Sequence, residues 1–113
     1  MTPGARAQAA IELLDAIEDA RGPADQCAQF YFRSRRFIGA KDRAAISTLV
    51  YAVLRHRAQL DWWIERGDGG VGTSRARVIA ALGILQGWEL AALASAFDGD
   101  RFRPGTLDRK SVV

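Results

Sequence analysis

The strongest constraint on this chain is an aliphatic ridge. Ile46, Leu49, Val50, Val53 and Leu54 recur at the i, i+3, i+4 spacing that gathers side chains onto one side of an α-helix. A ridge that narrow and apolar needs a core to enter, so the helix carrying it is expected to be central. Gly39 breaks the chain before it, and Asp42 is the expected cap. If the same helix ran on unbroken, Arg57 would rotate onto the apolar face, so a bend or a new helix is expected near His56.

The flanking segments follow the same period, and none reads convincingly as a strand. Thr2 can cap free amides and Pro3 fits a first helical turn, which starts a helix whose Ala7, Ala10, Leu13, Leu14 and Ile17 form one stripe. Asp15 and Asp19 fall on its solvated side, and the helix is expected to end near Gly22. Pro23 opens a second helix in which Cys27, Phe30 and Tyr31 hold the apolar spacing. After the ridge, Leu60, Trp63 and Ile64 point inward on a segment expected to stop at Gly67, which suits the left-handed residue after a helix. A glycine-rich loop comes next. Ser74 then caps a fifth helix with Val78, Leu82 and Leu85 inward, and a sixth begins near Trp88 with Leu90, Leu93 and Phe97. The expectation is an all-α compact bundle of five to six helices over residues 1–104, with 105–113 a tail or truncated end.

Charge is distributed unevenly over this frame. Between Arg33 and Arg57 stand seven basic residues (Arg33, Arg35, Arg36, Lys41, Arg43, Arg55 and Arg57) against the single acid Asp42, a local balance of +6 in a chain of net charge +3. The rest therefore sums to −3. A one-sided patch made mostly of arginine, whose planar fork matches phosphate, is the footprint of a polyanion-binding surface. An acidic protein partner would be served by the same charge.

Other chemistries find little support. Gly67, Gly69 and Gly72 satisfy G-x-G-x-x-G, but a dinucleotide loop needs a preceding strand and a following crossover helix, whereas Leu60 to Arg66 reads as helix. His56 stands between Arg55 and Arg57 with no second histidine to share a metal. Cys27 is the single cysteine, so the chain can build neither an internal disulfide nor a thiolate zinc site, and it reads as a small apolar side chain. Phe30, Trp63 and Phe97 read as core residues, with Trp62 on the helix flank beside Trp63. No catalytic, cofactor-binding or metal-binding residue is expected in this chain. No apolar run approaches the roughly 18 to 20 residues that cross a bilayer, and the first residues MTPGARAQ lack the pattern of a signal peptide. The expected place is the cytoplasm, away from membrane.

The run RRFIGAKDRAAISTLVYAVLRHRAQLDWWI resembles the N-terminal NusB-like domain of the Sun/Fmu proteins, the RsmB-type ribosomal RNA cytosine-C5 methyltransferases. The matching parts are the Asp42-Arg43 helix start, Leu49-Val50-Tyr51 with Val53-Leu54-Arg55, and Leu60-Asp61-Trp62. The likeness spans about residues 5 to 104 and is most specific in its middle third. It implies a NusB-like helical fold that binds ribosomal RNA beside a C-terminal catalytic domain of the parent chain. That second domain would bind S-adenosylmethionine and supply two cysteines, neither of which Cys27 matches. Two other classes stand beside this one: a stand-alone NusB-like antitermination regulator, and a helical protein-interaction module.

Overall fold

The computed structural model describes residues 1–68 and 72–87. Among them are five α-helices and no strand: α1 Pro3–Ala20, α2 Ala24–Arg33, α3 Ala40–Arg55, α4 Arg57–Asp68 and α5 Ser74–Ala80, the last continuing into a single wider π turn, Ala81–Leu85. The all-α expectation holds. The sixth helix from Trp88, with Leu90, Leu93 and Phe97, and the tail 105–113 lie outside the described residues.

The ridge of α3 is the centre of the core. Ile46, Leu49, Val50 and Val53 are buried, with Leu54 packed at the edge. Opposite them lie Ala7, Ala10, Leu13 and Leu14 of α1, and this is the most extensive helix pairing in the fold. Alanines at two of these positions leave little side chain between the axes, which lets α3 seat closely on α1. Leu60 of α4 and Val78 and Leu82 of the last helical segment close the core from the other side.

The helix starts and stops follow local chemistry. Thr2 Oγ1 accepts from the Ala5 amide at 3.0 Å, with Pro3 in the first turn, as its sequence dictates. The chain leaves α1 through Arg21, at φ 52, and not through Gly22. Its amide donates to the Ile17 carbonyl, so the helix is closed by a non-glycine residue held in the left-handed region.

Asp42 does not cap α3. Gly39 precedes the helix without a side-chain cap, and Asp42 sits inside the first turn, where Arg6 Nε donates to it at 2.7 Å and the Met1 ammonium lies 3.3 Å away. The arginine hydrogen bond holds its carboxyl below the usual carboxylate range. At the other end His56, at φ −108 and ψ 20, stops α3, and α4 begins at Arg57 as a new helix. Arg57 is thereby kept off the apolar face.

Three further expectations are corrected. α4 continues through Gly67 to Asp68, since a last turn tolerates the roughly 1 kcal/mol that glycine costs inside a helix. Thr73, in extended backbone that suits its β-branched side chain, caps α5 by accepting from the Ala76 amide at 3.1 Å; Ser74 is the first helical residue and is buried. Phe30 and Trp63 are not core residues: they are 70% and 38% exposed. In α2 the inward set is Ala28, Tyr31 and Phe32, one residue on from the Cys27, Phe30, Tyr31 reading. That register lets the Tyr31 hydroxyl donate to Glu12 of α1 at 3.0 Å while Phe32 enters the core. Cys27 is left half-buried against the core edge.

Candidate nucleic-acid interface

The arginine-rich segment runs from the end of α2 into its connection with α3 and is folded so that Arg33 and Arg36 are exposed. Ser34 ends α2, its hydroxyl donating to the carbonyls of Phe30 and Tyr31 at 3.0 Å each. Two backbone bonds tighten the turn beyond it: the Arg35 amide to the Phe32 carbonyl and the Ile38 amide to the Arg35 carbonyl, both 3.1 Å. Ile38 plugs the turn into the core at 2% exposure, which leaves Arg36 and Phe37 outside, the latter 80% exposed.

Between α2 and α3 lies an open groove of about 690 Å³. Arg33 and Arg36 stand on its α2 side and Arg43 on its α3 side, with Phe32 and Ala28 between. Arg43 lies over the Phe32 ring at 5.5 Å. Ser47 and Tyr51 continue the α3 wall, and a second open depression that they also line reaches Arg55. Among the described residues the groove has one acid, Asp25, which accepts a hydrogen bond from the Tyr51 hydroxyl. That hydrogen bond to the carboxylate, with some burial, pushes the Tyr51 phenol above its ordinary value. Among the described residues no carboxylate lies within ion-pair distance of Arg33, Arg36, Arg43 or Arg55.

The seven basic residues of the sequence patch therefore do not all line one groove. Arg33, Arg36 and Arg43 share the groove, and Arg55 lines the second depression. Lys41 is exposed in the first turn of α3. Arg35 folds back over the Tyr31 ring at 4.0 Å, and Arg57 pairs with Glu18 of α1 at 3.6 Å on another side of α3. Tyr31 itself is pushed well up by burial and by its bond to Glu12.

Sequence reasoning missed two things. One is the pair of exposed phenylalanines, Phe30 and Phe37, that flank Arg33 and Arg36 along the chain. The other is Arg77, buried on α5, whose Nε and a terminal nitrogen donate to Asp61 of α4 at 2.8 and 3.2 Å. Gly72 lies against this pair so closely that a Cβ there would overlap the Asp61 carboxylate. The last glycine of the G-x-G-x-x-G spacing thus has a packing role, and the residues before Gly67 are helix, not the strand a nucleotide loop requires. The glycine itself was the available signal for that pair.

Among the described residues no three His, Cys, Asp or Glu side chains gather as a metal site would require, and no helix is long and apolar enough to cross a membrane. No protein-family model, curated protein or solved structure matches the chain.

Proposed function

We propose that this chain is a NusB-like RNA-binding domain serving an S-adenosylmethionine-dependent ribosomal RNA cytosine-C5 methyltransferase of the cytoplasm. It holds RNA phosphates along the groove of Arg33, Arg36 and Arg43, with Arg55 at the far end. The observation that carries the reading is that these cations share one open face and that, among the described residues, none of them is ion-paired to a carboxylate. Cations already paired to acids would have to break those pairs to bind phosphate, and these four do not. Phe30 and Phe37 add exposed rings beside the arginines, surfaces on which unpaired bases stack. The likeness of Arg35 to Ile64 to the Sun/Fmu proteins supplies the choice of ribosomal RNA and of the parent reaction.

In this reading the chain positions RNA and does no chemistry of its own. Methyl transfer to cytosine requires a thiolate to attack the ring and a bound methyl donor. Both belong to a further domain of the parent enzyme, and Cys27, packed against the core edge, is not that thiolate. The test is titration of the chain into a fluorescent single-stranded fragment of small-subunit ribosomal RNA at low salt, beside an acidic protein of similar net charge. Saturable binding to the RNA is expected. Capture of the acidic protein with no affinity for RNA would replace this reading with the protein-interaction module.

A further inference from the structure

We infer that the groove takes an unpaired guanine, with Asp25 reading the base while Arg33, Arg36 and Arg43 hold the neighbouring phosphates. The inference rests on the RNA-binding reading above. Its starting observation is an acid among arginines. Asp25 lines the groove with three of them, yet none lies within ion-pair distance of its carboxylate. It is held from the opposite wall by the hydroxyl of Tyr51. For phosphate binding alone this residue is a defect, since a fixed negative charge beside the path of a polyanion repels it. For reading a base it is well suited.

A carboxylate accepts at about four lone-pair positions. Tyr51 fills one, and among the described residues nothing else donates to Asp25. The remaining capacity defines the ligand. Guanine is the base whose pairing edge carries two adjacent donors, N1–H and the N2 amine, matched to the two oxygens of a carboxylate. Adenine and cytosine offer one amine beside a ring acceptor, and uracil one N–H between two carbonyls, so each sets an acceptor against the acid. A paired guanine has already spent this edge on its partner strand, hence the base must be unpaired. Phe32 and Ala28 give the groove an apolar wall for the base, and the arginines complement the phosphates on either side.

The test uses three fluorescent RNA octamers at one low salt concentration: alternating guanine and uracil, the same sequence with inosine for guanine, and uracil alone. Inosine is guanine without the N2 amine, so it removes one donor and keeps the shape. Affinity of the full chain is expected to fall in that order, by about tenfold from first to last, the discrimination a bidentate contact gives. In Asp25→Asn, whose amide oxygen still accepts from Tyr51, the order is expected to collapse, with the uracil octamer bound at least as tightly as before. Tyr51→Phe frees the second partner of the same pair and serves as the control for stability. If Asp25 only braces α2 against α3, Asp25→Asn weakens all three octamers by one common factor and leaves the order standing, which overturns the inference. Equal binding of the three octamers by the parent chain also overturns it while leaving phosphate binding intact. No binding of any octamer overturns both readings.

Discussion

Arg77 and Asp61, sixteen residues apart in the chain, join α5 to α4 through two hydrogen bonds of 2.8 and 3.2 Å. Gly72 closes over the carboxylate. Removing Asp61 leaves a guanidinium buried without its partner, so Asp61→Ala should cost roughly 2 to 4 kcal/mol. Gly72→Ala forces the carboxylate aside and should cost about 1 to 3 kcal/mol in the parent. In the Asp61→Ala background only the flexible tip of Arg77, 3.0 Å from the added Cβ, has to give way, and the second substitution should add less than it does in the parent. Chemical denaturation of the four proteins checks this; additive losses would separate Gly72 from the pair.

Leu49 packs within the buried ridge of α3, one turn before Val53. Leu49→Ala should leave a cavity and lower stability by roughly 2 to 5 kcal/mol. A domain of this size has about 5 to 15 kcal/mol in all. A melting temperature equal to that of the parent would place the ridge on the wrong face.

That ridge was legible in the sequence because five strong aliphatic side chains mark a single helical face. The break at His56 was legible for a related reason: a charged residue would otherwise have entered the core. α2 was harder. Cys27, Phe30, Tyr31 and Ala28, Tyr31, Phe32 satisfy the same spacing, and alanine is too small to tip the choice. In the observed register the Tyr31 hydroxyl meets Glu12 of α1, a tertiary contact that the α2 sequence by itself does not reveal. The cap expected at Ser74 lies one residue earlier, at Thr73, whose backbone is extended and whose hydroxyl accepts from the Ala76 amide. The charge run announced a patch but not its shape. The folded turn sends Arg35 onto Tyr31, the break at His56 lets Arg57 pair with Glu18, and Arg33, Arg36 and Arg43 meet in one groove.

Arg21 closes α1 in the left-handed region, at φ 52. A side chain there costs roughly 1 kcal/mol that glycine avoids. Arg21→Gly should therefore raise stability by up to about 0.5 kcal/mol after the extra chain entropy of glycine is subtracted, read as a slightly higher denaturation midpoint. A lower midpoint would show that the arginine contributes something other than the turn.

Asp42 ties the start of α3 to Arg6 of α1 at 2.7 Å. Its folded-state carboxyl is held below the unfolded value of 3.8, mainly by the hydrogen bond from Arg6. A group depressed in this way stabilises the fold above the unfolded value, and that contribution is lost as pH falls through the folded one. The gap in urea midpoint between the parent and Asp42→Asn should be constant near neutrality and close as the solution is acidified below about pH 4. A gap that widens on acidification would reverse the sign of the argument.

The arginine groove as a phosphate site is the central claim, and the slope of binding against salt measures it most directly. Each phosphate contact on a single strand contributes about 0.7 to the slope of log affinity against log salt concentration. Replacing Arg33, Arg36 and Arg43 together by alanine should weaken binding to the small-subunit RNA fragment and flatten that slope by about 2, while Arg57→Ala, which loses only a contact to Glu18, should leave it near the parent value. Parent-like affinity and slope in the triple variant would contradict the assignment of the groove to RNA.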